Sequence, residues 1–148
     1  MKARDIMTTS PATVVPSDSV STAARVMRER GVGMLPVVDS PVSQHLVGVI
    51  TDRDITTRCV ADSHSGSCRV EEHMSRAPVQ TASPSDSLDL VAKKMEAVRV
   101  RRLPVIGEGD RLVGVIAQAD FATKTKASDR KLIEEVLQEI SSSPSTAG

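Results

Sequence analysis

Apolar residues recur along the chain with two different periods, and the periods alternate. Val20, Ala23, Ala24 and Met27 stand at i, i+3, i+4 and i+7, as do Leu88, Val91, Ala92 and Met95, the spacing that gathers an apolar stripe along one side of a helix. Each stripe follows a Pro-Ser-Asp-Ser tetrapeptide, at 16–19 and 84–87, rich in residues that accept the orphan N–H groups of a helix start. Gly31 supplies a C-terminal stop to the first helix, where the second has Arg99. After each helix come two short runs dense in aliphatic side chains, 35–38 and 46–50, then 103–106 and 112–116. Bounded by turn residues and rich in β-branched side chains, these predict strands buried on at least one face. A short extended piece precedes each helix, at 13–15 and 79–81, and a second helix follows the strands, starting at 51–54 in one case and near 118–120 in the other.

The pattern is duplicated. DIMTTSPATVVPSDSVSTAARVMRERGVGMLPVV is echoed about 67 residues later by EHMSRAPVQTASPSDSLDLVAKKMEAVRVRRLPVI, and Leu46-Val47-Gly48-Val49-Ile50 is answered by Leu112-Val113-Gly114-Val115-Ile116. The strand–strand loop is two residues longer in the first copy. The fold class is therefore mixed α/β (α+β): two βαββα repeats, at 4–60 and 71–124, joined by a polar linker at 61–70. A further helix is expected at 128–141, capped by Ser128 with an apolar stripe of Leu132, Ile133, Val136, Leu137 and Ile140, and the polar tail 142–148 reads as disordered. At 148 residues the chain suffices for one compact unit, not two unrelated full-sized domains.

Composition narrows the chemistry. With one Phe and no Trp or Tyr, the core must be built from Val, Ile, Leu, Met and Ala. Lys plus Arg equals Asp plus Glu at 19 each, so no global field draws the chain to nucleic acid or an anionic membrane. No run approaches the roughly 20 apolar residues of a bilayer span, and the start lacks a signal peptide's apolar stretch, which predicts a cytoplasmic protein. Cys59 and Cys68 are nine positions apart; this fits neither CxxC redox chemistry nor a zinc knuckle, so they read as ordinary thiols, with a redox switch as the alternative. His45, His64 and His73 lie in loop-like contexts without HxxxH or HExxH spacing, and neither a nucleophile elbow nor a P-loop occurs. On these grounds no catalytic or metal-binding residue and no catalytic cofactor is assigned.

The paired blocks LPVV…LVGVITDRDI and RLPVI…RLVGVIAQADF, each preceded by a capped helix, resemble tandem cystathionine β-synthase (CBS) domains over about residues 4–124. With ARDIM at the start, they are similar to the small stand-alone bacterial CBS-pair proteins. The resemblance implies a pseudo-twofold pair of repeats forming one CBS-pair (Bateman) module. It further implies homodimerisation, and AMP, ADP, ATP or an S-adenosyl compound such as S-adenosylmethionine as a regulatory ligand in the cleft between the repeats. It implies no catalysis.

The residues suggest where such a ligand would be held. A carboxylate can accept both ribose hydroxyls, and hydroxyl and N–H groups at a helix start can hold phosphate oxygens; by the resemblance these roles fall to Asp54 and Thr51. T-x-x-D is equally a capping box that requires no ligand. In the second copy Asp120 keeps the ribose position while Ala117 replaces the hydroxyl, so capping is not expected to explain Asp120. Arg101 and Arg102, alternating in direction at the strand entry, resemble the family's phosphate-contacting positions, and guanidinium forks grip phosphate oxygens in pairs. They read equally as a solvated basic turn. The better phosphate site is thus expected at Arg101, Arg102 and Asp120, its opposite wall formed by Gly33, Met34 and Ser19. Gly33 allows close approach of a base and Met34 offers a polarizable surface, although the two read equally as turn and core. The competing function is a dimeric protein-interaction scaffold that has lost nucleotide binding, which the missing second threonine would permit. Either function leaves an unidentified protein target.

Overall fold

A computed structural model of the chain describes residues 1–124; the helix expected at 128–141 and the tail at 142–148 lie outside the described residues. In chain order the elements are α1 (Ala3–Ile6), β1 (Thr8–Thr9), α2 (Val20–Arg30), β2 (Met34–Val38), β3 (Leu46–Thr51), α3 (Asp52–Asp54, running on as a π-helix over Ile55–Val60), a 3-10 turn at Val70–Glu72, β4 (Ser75–Arg76), α4 (Leu88–Val98), β5 (Arg102–Ile106), a 3-10 turn at Glu108–Asp110, β6 (Leu112–Ala117) and α5 (Gln118–Lys124). The strands form two antiparallel three-stranded sheets, ordered β2-β3-β4 and β1-β6-β5.

The chain divides into two units. One, here the α2 unit, comprises Ala12–Val79 and Gly109–Arg111; the other, the α4 unit, comprises Met1–Pro11, Gln80–Glu108 and the described residues from Leu112 onward. The units therefore differ from the contiguous repeats of the sequence, because the opening segments are exchanged: β1 of the first copy completes the sheet of the α4 unit, and β4 of the second copy completes that of the α2 unit.

The Pro-Ser-Asp-Ser turns account for the exchange. In each, the serine hydroxyl caps its own helix, Ser19 accepting from the Thr22 N–H at 3.0 Å and Ser87 from the Leu90 N–H at 3.2 Å. The aspartate carboxylate closes the turn on the Val15 or Ser83 N–H, each at 2.9 Å. The turn's carbonyls then receive the opening helical turn of the other copy. Asp18 and Pro16 accept from the Val70 and Glu71 N–H groups at 2.8 and 3.0 Å, and Asp86 and Pro84 from Ala3 and Arg4 at 2.8 and 3.0 Å. A helix start must place its orphan donors somewhere, and here they fasten the exchanged segments. Burial works against ionisation of the Asp86 carboxyl, but the hydrogen bond from Lys94, the Ser83 N–H and the Lys94 charge outweigh it and hold the group below the usual carboxylate range.

The apolar stripes face two separate cores. Leu88, Val91, Ala92 and Met95 are buried with Ile6, Leu103, Ile116 and Phe121, whereas Val20, Ala23 and Met27 are buried in the α2 unit and Ala24 is exposed. The first stripe is thus one residue narrower than its spacing predicts. The extended piece of the first copy is as expected, Val14 bridging Val37, but in the second copy the bridging residue is Ala82, opposite Val105 and one position beyond the expected 79–81.

Both long helices end in the left-handed conformation, Gly31 at φ 65° and Arg99 at φ 54°. Glycine adopts this conformation freely, whereas a Cβ makes it costly. Arg99→Gly is therefore expected to stabilise the fold by roughly 0.5–1 kcal/mol, read as an upward shift of the urea midpoint with unchanged slope; an unchanged or lowered midpoint would contradict this.

Candidate functional site

In the α2 unit the candidate residues meet where β3 runs into α3. The hairpin register pairs Met34 with Thr51, and the Asp52 N–H donates to the Gly33 carbonyl at 2.9 Å. Thr51, buried at 4% exposure, accepts the Asp54 N–H on its hydroxyl at 3.0 Å, and Asp54 Oδ2 accepts the Thr51 N–H at 3.0 Å. The capping box is complete. The other Asp54 oxygen lies 3.7 Å from Arg58 Nε. With the Arg53 N–H donating to Asp52 Oδ1 at 2.8 Å, the backbone donors of this turn are occupied within the chain, so the free N–H groups expected to hold phosphate at 51–54 are not on offer. Met34 is buried, and the Ser19 hydroxyl is engaged with both the N–H and, at 2.9 Å, the hydroxyl of Thr22.

The α4 unit repeats this junction with different side chains. Arg102 pairs with Ala117, and the Gln118 N–H donates to the Arg101 carbonyl at 2.8 Å; Arg101 and Arg102 thus occupy the backbone places of Gly33 and Met34. Arg101 is exposed and Arg102 half-buried at the start of β5. Asp120 Oδ2 accepts the Ala117 N–H at 2.7 Å, while Oδ1 lies 3.3 Å from Lys124 Nζ. The expectation that capping does not explain Asp120 is therefore corrected: the carboxylate half of the box needs only a backbone N–H at 117, and survives the loss of the threonine. What Ala117 removes is the reciprocal acceptor, the hydroxyl for the Asp120 N–H.

The Asp54 and Asp120 side chains are about equally sheltered, at 13% and 14% exposure, and each keeps one oxygen on the backbone and one turned to a cation from the next helical turn. Between the copies the carboxylate is constant and the strand entry changes from Gly-Met to Arg-Arg. Sequence reasoning passed over a second gathering of reactive side chains, Cys59, Cys68 and His73, within the segment 59–73.

Comparison with known proteins fits this geometry. The model of the CBS domain matches residues 3–60 and 70–125, and the chain belongs to the CBS-domain family. It is 36% identical over 126 residues to the CBS domain-containing protein YhcV of Bacillus subtilis, spanning 85% of this chain and 86% of that protein. It is 33% identical over 120 residues to hypoxic response protein 1 of Mycobacterium tuberculosis, spanning 81% and 82%. The crystal structure of Hypoxic Response Protein I with two coordinated zinc ions superposes with a TM-score of 0.76 at 31% identity, covering 85% of this chain and all of that one. The CBS domain pair of protein MJ0100, solved in complex with 5'-methylthioadenosine and S-adenosyl-L-methionine, superposes with a TM-score of 0.72 at 30% identity, covering 82% and 93%. Pairs of CBS domains generally bind adenosine ligands. Among the described residues no helix is long and apolar enough to cross a membrane.

Proposed function

We propose that this chain is a non-catalytic regulatory module of the cytoplasm that senses an adenine nucleotide, AMP, ADP or ATP, with the α4 junction as the phosphate-recognising part. The observation that carries the reading is the contrast between the two junctions: the same backbone and the same sheltered carboxylate, but Arg101 and Arg102 where the other copy has Gly33 and Met34. Asp120 accepts ribose hydroxyls and the two guanidinium groups grip phosphate oxygens. In the α2 unit the equivalent junction keeps a carboxylate, Asp54, but Met34 is buried and offers no open surface to a purine, while Thr51 and Ser19 hold the local backbone.

The neighbour that carries 5'-methylthioadenosine and S-adenosyl-L-methionine supports an adenosine ligand. The arginine pair favours phosphate over a cationic sulfonium, since like charges brought together are unfavourable. A homodimer is the working form supported by the family resemblance, and Leu90 and Val98 on α4, 41% and 39% exposed, are apolar residues available for such a contact.

A thermal-shift series tests the phosphate assignment. A ligand at about 100 times its dissociation constant adds about 2.7 kcal/mol to the folded state, a shift of several degrees. Arg101→Ala/Arg102→Ala is expected to abolish the shift given by AMP or ATP while leaving that of adenosine in place, and Asp120→Ala to reduce both. An AMP or ATP shift unchanged in the double arginine variant would contradict the assignment.

A further inference from the structure

The α2 unit contains a second constellation that the nucleotide reading leaves unused. Cys59, Cys68 and His73 each offer one ligand atom, and these atoms all lie within 4.8 Å of one another. Cys59 sits in the π-helical stretch Ile55–Val60 at 1% exposure, and His73 follows the Val70–Glu72 turn at 5% exposure. π-helical turns inside helices occur frequently at functional sites. His64 stands beside the group, its Nδ1 at 3.5 Å from His73 Nε2, with ring centroids 5.3 Å apart. The order is Cys59-x4-His64-x3-Cys68-x4-His73.

Each ligand is placed by backbone hydrogen bonds. The His64 N–H donates to the Cys59 carbonyl at 2.9 Å, the Cys68 N–H to Ser65 at 3.0 Å, and the His73 N–H to Val70 at 3.0 Å. The Cys59 thiol rests against the His64 and Ser65 carbonyls, each at 3.7 Å. Burial, with Cys68 and Glu72 nearby, pushes this thiol up from its ordinary range.

From these contacts we propose that Cys59, His64, Cys68 and His73 form a structural binding site for a zinc-class divalent cation. Two imidazole nitrogens on one tetrahedral zinc stand about 3.4 Å apart, and two thiolates about 3.8 Å, from bond lengths near 2.0–2.1 and 2.3 Å. The His64–His73 separation of 3.5 Å already matches, and the two sulfurs, within 4.8 Å of each other, need to close by no more than about 1 Å; His64 stands outside that group and moves toward the sulfurs on binding. Two sulfur and two nitrogen donors are the set that selects zinc over magnesium or calcium. With four protein ligands the centre is closed, hence structural rather than catalytic. On binding, both thiols release their protons to solvent and become thiolates that donate to the cation; no electron is transferred and no oxidant is involved.

The site would pin the segment between the two repeats. The same loop supplies the Gly66 and Cys68 carbonyls that accept the Ser21 and Val20 N–H groups at 2.9 and 2.7 Å, so the cation also steadies the start of α2. The test is a titration of the metal-stripped full chain with cobalt(II) under reductant. The expected result is saturation at one cobalt per chain, with the intense visible bands of tetrahedral cobalt, thiolate charge transfer in the near ultraviolet, and displacement of both by zinc. Cys68→Ser should weaken binding by more than the roughly 10–100-fold that outer-shell substitutions cost, and His64→Gln by at least about tenfold. Both positions lie outside the buried core, and far-ultraviolet circular dichroism confirms that the variants fold. Absence of saturable cobalt binding, a weak octahedral spectrum, or affinity unchanged in both folded variants would overturn the site.

Discussion

Gly48→Ala is expected to cost about 3 kcal/mol or more, lowering the melting temperature by about 6–12 °C for a chain of roughly this length. Gly48 faces Arg76 in the β3–β4 pairing, and a Cβ there would stand 2.3 Å from the Ser75 carbonyl oxygen and 3.3 Å from Arg76 Cα. Both obstacles are backbone, so no rotamer change relieves them. Nor can β4 slide away cheaply, because the Ala77 N–H is anchored to the Val47 carbonyl at 2.9 Å and the preceding Val70–Glu72 turn is fastened to the Asp18 and Pro16 carbonyls. The counterpart Gly114 is less severe: its Cβ would meet Met7 Sδ and the Thr8 carbonyl at 2.8 Å, and the methionine can rotate. Gly48→Ala should therefore melt well below Gly114→Ala by circular dichroism; the reverse order would contradict the segment exchange as the reason for these glycines.

Phe121→Ala is expected to destabilise the α4 unit by about 3–5 kcal/mol. Phe121 is fully buried among Ile6, Leu88, Leu103 and Ile116 and is the buried residue of α5. As the chain's sole aromatic residue, it fills a volume that the surrounding aliphatic side chains cannot reach without shifting the sheet, so a cavity remains. The same substitution withdraws the apolar anchor of the helix that carries Asp120, and nucleotide affinity should fall together with stability. Phe121→Leu should cost less than half as much. A urea midpoint for Phe121→Ala within about 1 kcal/mol of the parent would show that α5 is held by something other than this side chain.

The elements were legible in the sequence wherever a period had room to repeat. The stripes of α2 and α4 and the four long strands span enough residues for spacing to decide between helix and strand. β1 and β4 are two residues each, too short to show any period, and their partners are chosen by backbone carbonyls at Pro16, Asp18, Pro84 and Asp86, which no side-chain pattern reports. The exchange of opening segments was illegible for that reason. At the candidate nucleotide site, the strand–turn–helix junctions could be read from T-x-x-D and A-x-x-D, but the bond from the Ala117 N–H to Asp120 could not, since a capping box read as a reciprocal pair hides the half that one carboxylate supplies alone. The Cys/His group was passed over because the cysteine spacing was read without the histidines set between and after them. Only the π-helical stretch and the two turns that follow bring Cys59 and His73 together from fourteen residues apart.

The most direct test of nucleotide sensing is isothermal titration calorimetry of the full chain with AMP, ADP, ATP and S-adenosylmethionine in turn, repeated with Arg101→Ala/Arg102→Ala. The predicted result is saturable binding of at least one of the three nucleotides, tighter than that of S-adenosylmethionine and lost in the arginine variant. No saturable heat with any of the three nucleotides at millimolar concentration would contradict it and leave a protein-interaction scaffold as the function.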